Sequence, residues 1–132
     1  MKTIIEKLAH RTRVHEIPGS QAAENSIAFE AVVGGEVVGR VEASHREGTI
    51  VIQQLDVLPT MRRRGIGRKL VRAILNKSQL LSVDRACVTT NGSEGFWALQ
   101  GFRPSCDEQT DQYPQCQMTR TVPPIVPANP FR

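Results

Sequence analysis

The sequence predicts a single α/β (α+β) domain built on a mixed sheet, in which an antiparallel meander precedes a parallel strand pair. Three observations lead to this fold class. Apolar residues alternate with a period of two through three consecutive segments between Ser26 and Val57. A basic loop with glycines then enters a segment of period 3.6, and a further apolar strand follows Asp84. A strand, helix, strand crossover of this length requires parallel pairing.

Length and composition are those of one soluble globular domain. The 132 residues suffice for one hydrophobic core. We assign that domain to residues 1–122 and treat the proline-rich residues 123–132 as a C-terminal tail. No apolar run approaches the ~20 residues that span a bilayer. The first residues, 1–7, mix acid with base and do not resemble a secretory signal. We therefore expect a cytoplasmic protein without a membrane segment.

The cysteines and charges narrow the class of ligand. Cys87, Cys106 and Cys116 are odd in number and widely spaced, which fits neither a disulfide framework nor a zinc site, so no metal is expected. The net charge is only +4, yet six basic residues fall between Arg62 and Arg72. Such a cluster favours phosphate groups, nucleic acid or an acidic partner. Nucleic acid is the least favoured, because the chain has one Trp, one Tyr and no stacking motif.

The N-terminal elements follow from periodicity. Ile4, Ile5 and Leu8 have helical spacing over residues 3–11, although residues 14–17 could equally form the first strand. A hairpin is predicted from residues 26–33 and 36–44. Strict alternation in the second arm predicts that Val37, Gly39 and Val41 share one face of the strand. The other face then has Val38, Arg40 and Glu42. A turn at Glu47-Gly48 leads into the third strand, residues 49–57. Strict alternation predicts one face with Ile50, Ile52 and Gln54. The other face then has Val51, Gln53 and Leu55.

The second half of the chain alternates helix and strand. Pro59 ends the third strand, and Ile66, Leu70 and Ile74 predict a helix over residues 65–81. A strand over residues 85–90 and a short helix over 92–100, capped by Gly101, come next. The chain is expected to re-enter the sheet from Phe102 and to end with a strand over residues 115–122.

The loop between the third strand and the first long helix carries the clearest chemical signal. A strand that stops at Pro59 and enters a helix through Gly65 and Gly67 leaves backbone N–H groups unpaired at the positive helix end. Missing side chains let a pyrophosphate approach, and arginines add charge-assisted bonds. The alternative interpretation is that the arginines only form the solvent-exposed face of a helix. That interpretation explains the charges but not the two glycines, because each glycine lowers helix stability by ~1 kcal/mol relative to alanine. The patterns for dinucleotides and nucleoside triphosphates are both missing.

Two segments resemble the GNAT superfamily of acyl-CoA-dependent N-acetyltransferases. The pattern Val57-x-Pro59-x-x-Arg62-Arg63-Arg64-Gly65-Ile66-Gly67 is similar to that family's coenzyme A signature, Arg/Gln-x-x-Gly-x-Gly/Ala. Asn91 and Phe96-Trp97-x-x-x-Gly101-Phe102 are similar to its second segment, Asn…Phe-Tyr-x-x-x-Gly-Phe. The resemblance covers roughly residues 27–102. It implies a GNAT-type mixed sheet whose parallel strands splay apart at the acyl-CoA site, with helices on both faces.

The resemblance also implies a reaction and a site. Acetyl-CoA would be the co-substrate, and the acetyl group would pass directly to a primary amine of a small molecule, peptide or protein. The backbone amide of Val57 would polarise the thioester carbonyl. The residues implied to bind acyl-CoA are Leu55, Asp56, Val57, Arg62, Arg63, Arg64, Gly65, Ile66, Gly67, Arg68, Asn91 and Trp97.

Departures from the family pattern leave the catalytic groups open. Trp97 stands where many members have a tyrosine that protonates the leaving thiolate, and an indole cannot supply that proton. Tyr113, the only tyrosine, lies in a polar loop. The candidates for a general base are Glu42, His45 and Asp56. A short N-terminal portion implies an open acceptor pocket or one completed by a partner chain, for example in a homodimer. The alternative function is an acyl-CoA-binding sensor or interaction module with little or no transferase activity.

Overall fold

The computed structural model describes residues 11–17, 25–89, 93–104 and 118–123. Within these residues, seven strands form one sheet in the order β1-β2-β3-β4-β5-β7-β6. The strands are β1 (Arg13–Glu16), β2 (Ser26–Val33), β3 (Glu36–Arg46), β4 (Thr49–Val57), β5 (Arg85–Val88), β6 (Arg103–Pro104) and β7 (Met118–Thr121). The helices are α1 (Ile66–Leu80) and α2 (Glu94–Leu99), and a 3-10 turn spans Pro59–Met61.

The pairing of the strands confirms the predicted mixed sheet. β1 to β4 pair antiparallel with their neighbours, and β4 pairs with β5 in parallel. β7 then pairs antiparallel with both β5 and β6. The single parallel pair encloses α1 in its crossover, as expected for strands joined through a helix.

Helix α1 lies directly on the sheet. Its buried stripe repeats with helical spacing and joins the hydrophobic core through Ile66, Leu70, Val71 and Ile74. The close approach depends on Gly39 of β3, because a Cβ there would lie 3.1 Å from Leu70 Cδ1 and 3.2 Å from Ile66 Cγ2. The N-terminus of α1 is thereby held above the last residues of β4.

Two β-bulges overturn the strict alternation predicted for the strands. In the β2–β3 pair, Ala31 lies opposite Gly39 and Val32 opposite Val37, so Val38 is an extra residue. Val38 is consequently buried at 4% exposure, whereas Val37 is 48% exposed. The predicted faces of Val37 and Val38 were therefore wrong.

The second bulge lies in β4 at Gln53. Ala43 pairs with Ile52 and Glu42 pairs with Gln54, so Gln53 has no partner in β3. Leu55 consequently faces α1 together with Ile52, and Gln54 turns to the opposite face; the predicted faces of Gln54 and Leu55 were wrong. The bulge thus reorients the last residues of β4, which carry much of the predicted site.

Most predicted elements are present with small shifts at their ends. The strand alternative for residues 14–17 is correct, as β1, and β3 extends two residues past the predicted end at Ser44 to Arg46. The predicted strand over residues 85–90 ends earlier, at Val88. Most of the predicted helix over residues 3–11, and residues 124–132 of the tail, lie outside the described residues. The division at residue 122 stays a prediction, although the carbonyl oxygen of Pro123 accepts a hydrogen bond of 2.8 Å from Gln79 Nε2.

No helix in the part of the chain that the structure describes is long and apolar enough to cross a membrane.

Candidate active site

The parallel strands separate at one end, and a cleft opens between them. The last pair joins Ile52 of β4 to Val88 of β5. β4 continues to Val57, five residues beyond that pair, whereas β5 ends at Val88. The bulge at Gln53 lies at the point of separation. The end of β4 therefore has β3 on one side, and on the other side no strand among the described residues pairs with it, so that this edge is open in the described structure.

Much of the predicted acyl-CoA site lines this cleft, which has a volume of about 760 Å³. The predicted residues found in its lining are Leu55, Asp56, Val57, Arg62, Arg63, Gly65, Ile66, Gly67, Arg68 and Trp97. Arg64 is exposed and is not part of the described lining. Asn91 lies outside the described residues. The end of β4, the loop and the start of α1 thus share one cavity with Trp97 of α2, which is distant from them in sequence.

The sequence did not identify several other lining residues. Phe96 belongs to the second segment that resembles the family, but the resemblance implies a contact with acyl-CoA only for its neighbour Trp97; Phe96 also lines the cleft. Met61, Gln54 and Ser93 had no assignment, although all three line the cleft. The polar strand end at Gln53 and Gln54 is a signal that could have pointed to this location, because glutamine is uncommon in a strand that is otherwise apolar.

The backbone of Val57 points into the cleft. Leu58 donates its amide hydrogen to the carbonyl oxygen of Val38 at 2.9 Å. That bond marks Gly39 and Val57 as a pair that exchanges no hydrogen bonds, so the N–H and C=O of Val57 point away from β3. Leu55, two residues earlier in the same register, has the same orientation. These groups form the open edge of β4.

The loop before α1 leaves a group of amides without backbone partners. Lys69 makes the first helical bond, to Gly65 at 3.1 Å, whereas the amides of residues 63–68 donate to no backbone carbonyl in the described part of the chain. Gly65 has φ +79°, a left-handed conformation that glycine adopts without strain. Free amides at the positive end of a helix form a binding site for anions.

The arginines around this loop form no ion pair with a carboxylate among the described residues. Arg62, Arg63, Arg64 and Arg68 are exposed. The ion pairs found among the described residues all lie elsewhere, at Glu30, Glu42 and Glu16. Arg62 also donates from Nε to the carbonyl oxygen of Val57 at 3.3 Å. The loop therefore presents a positive potential at the mouth of the cleft.

Aromatic side chains of α2 line the cleft beside the start of α1. A Cβ on Gly67 would lie 3.2 Å from two ring carbons of Phe96, so this glycine lets α1 and α2 meet. Trp97 is buried, at 4% exposure, and its ring meets the rings of Phe96 and Phe102 edge-on at centroid distances of 5.1 and 5.2 Å. Such contacts are favourable for aromatic pairs. Trp97 thus gives the cleft a rigid wall that has no proton to donate as an acid.

The three candidate bases lie in different places. Asp56 lines the cleft, and Asp56 Oδ2 accepts a hydrogen bond from Gln54 Nε2. Glu42 is outside the described lining, and its Oε1 accepts a bond of 2.7 Å from Arg40 Nη2. His45 pairs with Ile50 at the other end of β4, roughly 20 Å along the strand from Val57. Only Asp56 therefore adjoins the cleft, and its role as a base stays a prediction.

No group of three or more metal-ligating side chains occurs among residues 11–17, 25–89, 93–104 and 118–123.

Comparison with known proteins gives the family. The model of the acetyltransferase (GNAT) family matches residues 4–102. The chain belongs to this family. The match begins well before Ile27, where the motif resemblance starts, so the N-terminal segment is also part of the GNAT domain. No curated protein sequence matches the chain at a significant level.

Solved structures of acetyltransferases share the fold. PaiA N-acetyltransferase from Thermoplasma acidophilum, solved with coenzyme A, has 14% identity and a TM-score of 0.65 over 78% of this chain and 65% of its own. The ribosomal-protein-S18-alanine N-acetyltransferase of Escherichia coli has 12% identity and a TM-score of 0.70 over 90% and 98%. The IAA acetyltransferase of Bacillus cereus has 19% identity and a TM-score of 0.66 over 85% and 100%. At these identities the similarity shows the GNAT fold.

Proposed function

We propose that this GNAT protein is an N-acetyltransferase that transfers the acetyl group of acetyl-CoA directly to a primary amine in a ternary complex. The observation that carries the proposal is the set of amides at residues 63–68, which have no backbone partners in the described structure. They lie at the positive end of α1, beside exposed arginines and at the mouth of a cleft between separated strands. A diphosphate with a long, amide-containing arm fits this combination of groups.

The phosphate end of acetyl-CoA would bind at the loop. The first-turn amides of Ile66, Gly67 and Arg68 would donate to the pyrophosphate oxygens, and Gly65 keeps that approach free of a side chain. Arg62 and Arg63 would add charge-assisted hydrogen bonds. The presence of coenzyme A in the Thermoplasma structure supports this assignment for a chain with the same fold.

The pantetheine arm would lie along the open edge of β4. Leu55 and Val57 direct their N–H and C=O groups to that edge, so the two amides of pantetheine can pair with them as an additional strand would. The thioester would then reach the split between β4 and β5. There the N–H of Val57 would donate to the carbonyl oxygen as it gains negative charge.

Acetyl-CoA supplies a thioester that a neutral amine attacks: a C–N bond forms, the C–S bond breaks, and the thiolate leaves. The chain contributes mainly position, because it holds the thioester between two strands at the base of the cleft. Asp56 would take the proton that the amine loses, and Gln54 would orient its carboxylate. The thiolate would take a proton from water, because Trp97 has none to give.

Trp97 also favours a second candidate function. A buried indole at the position of the family's tyrosine removes one source of acid, so the same fold could bind acyl-CoA as a sensor with little transferase activity. The two functions share the cofactor site and differ in turnover.

Two measurements on the full chain test the proposal. Calorimetric titration with acetyl-CoA should show one saturable site per chain, and release of the coenzyme A thiol should then depend on an added amine from a panel of small amines and peptides with free N-termini. Binding with no amine-dependent release from any of them would favour the sensor. Absence of binding would refute both functions.

A further inference from the structure

A second cleft lies at the C-terminal end of α2. It has a volume of about 400 Å³ and is bounded by α1, the end of α2 and β7. Arg120 of β7 lines this second cleft, but it is not part of the described lining of the first cleft, where the proposed site lies. No ion pair joins Arg120 to a carboxylate of the described residues. Its guanidinium is directed to other acceptors.

Those acceptors are backbone carbonyl oxygens. Arg120 donates from Nη1 to the carbonyl oxygen of Gln100 at 2.6 Å and from Nε to that of Thr121 at 2.9 Å. The first bond satisfies a carbonyl at the negative end of α2, where a cation is favourable. The second bond fixes the direction of the guanidinium against its own strand. Gly101 leaves room for it, because a Cβ there would lie 3.0 Å from Arg120 Nη1.

Helix α2 depends on such an attachment. It has only six residues, Glu94–Leu99, and makes few close backbone contacts with the other described elements. A helix this short is not stable by itself. The carbonyl oxygen of Trp97 accepts backbone hydrogen bonds of 3.0 Å from Gln100 and from Phe102. The bond from Arg120 to Gln100 therefore also restrains the turn that carries Trp97.

We propose that Arg120 is a positioning residue for acyl-CoA: by holding the end of α2, it keeps Phe96 and Trp97 in place along the first cleft. The inference rests on the proposed function, because it assumes that the pantetheine arm lies beside these two rings. Arg120 acts through α2 and touches no reacting atom. Loss of Arg120 should let the rings move, and displacements of about 1 Å are enough to weaken the fit of a bound substrate.

Two measurements on the full chain separate this role from a direct effect of charge. Calorimetry compares acetyl-CoA with 3′-phosphoadenosine 5′-diphosphate, the nucleotide half of coenzyme A, which has no pantetheine arm and does not reach the rings. Fluorescence of the ligand-free protein reports on the rings directly, because Trp97 is the only tryptophan and is 4% exposed. Thermal unfolding shows that each variant is folded at the assay temperature.

Three variants are compared with the wild type. Arg120→Met removes the donors and the charge, and Arg120→Lys keeps the charge but has no planar fork to join two carbonyls. Arg103→Met is the matched control, because Arg103 is an exposed cation of the neighbouring strand β6 and lies in the described lining of neither cleft.

We expect Arg120→Met to shift the emission of Trp97 to longer wavelengths. The Kd for acetyl-CoA should rise about tenfold, because contacts between the arm and the rings are lost, whereas the Kd for the nucleotide half should stay within about twofold. Arg120→Lys should change the emission and the Kd for acetyl-CoA in the same direction, by about threefold in Kd. Arg103→Met should match the wild type in all three quantities.

Other results would overturn the inference and leave the proposed function standing. Equal weakening of both ligands in Arg120→Met would mean that the arginine acts by its charge on the nucleotide. Unchanged emission would show that Trp97 is held without Arg120. Wild-type behaviour of Arg120→Lys would mean that the charge alone suffices, and equal losses in Arg103→Met would mean that any cation at this edge has the effect. If Arg120→Met does not fold, Arg120→Lys decides by the same criteria.

Failure of the proposed function gives a different result. The wild type would then bind neither acetyl-CoA nor its nucleotide half. The emission of the ligand-free variants would still decide whether Arg120 holds Trp97, because that measurement needs no ligand.

Discussion

A negative charge at Gly65 should abolish cofactor binding by repulsion and not by loss of the fold. A Cβ at this glycine would meet nothing within 4 Å, so a side chain has room and would project beside the free amides. In Gly65→Glu the carboxylate would lie roughly 5 Å from the two charges of the pyrophosphate. With an effective dielectric of about 40, that repulsion amounts to ~3 kcal/mol. We therefore expect acetyl-CoA to bind Gly65→Glu about 100-fold more weakly than the neutral analogue Gly65→Gln.

The backbone cost of the substitution can be measured separately. Any side chain at φ +79° costs about 1–2 kcal/mol, which lowers Tm by roughly 3–6 °C in a chain of this size. Gly35 provides a matched control, because it has φ +83° and open space around it, and it lines neither cleft. Gly35→Glu should show a similar loss of Tm and wild-type affinity.

The assay is calorimetry with acetyl-CoA at two salt concentrations, together with thermal unfolding. The difference between Gly65→Glu and Gly65→Gln should shrink as salt screens the repulsion. Equal affinities for Gly65→Glu and the wild type would refute the assignment of the phosphate site. An equal loss in both Gly65 variants would show that the effect is steric.

Three further substitutions test other parts of the account. Gly39→Ala should lower the free energy of unfolding by about 1–3 kcal/mol, because the new Cβ would lie 3.2 Å from the carbonyl oxygen of Asp56. Urea titrations measure this loss. An unchanged urea midpoint would show that α1 can move away from the sheet. Trp97→Tyr should keep the Kd for acetyl-CoA within about threefold, because a ring still meets Phe96 and Phe102, and a large loss would mean that the indole itself contacts the cofactor. Asp56→Asn should lower kcat at least ~100-fold without changing the Kd if Asp56 is the base, whereas an unchanged kcat in steady-state assays would exclude that role.

The architecture was predictable because it depends on local patterns. Alternation marked β2, β3 and β4, the period of 3.6 marked α1, and the crossover between them required a parallel pair. The anion-binding loop at Gly65 and Gly67 could be predicted for the same reason, because the end of a strand, two glycines and the start of a helix follow one another in the sequence. The structure leaves these amides without backbone partners, which is the arrangement that the sequence predicted.

The bulges were not predictable, because a bulge is a property of two paired strands. Nothing in the local pattern around Gln53 shows that Ile52 and Gln54 oppose consecutive residues of β3. The resulting register places Gln54 and Asp56, the proposed base, on the face of the sheet away from α1. The contact of Gly67 with Phe96 was hidden in the same way, because it joins residues that only the tertiary fold brings together.

The most direct test of the central claim is an NMR titration that follows the backbone amides as acetyl-CoA is added. We predict large downfield proton shifts at Ile66, Gly67, Arg68 and Val57, as these amides gain hydrogen bonds, with little change at Gly35. Binding that leaves these four resonances unmoved would place the cofactor elsewhere and contradict the account.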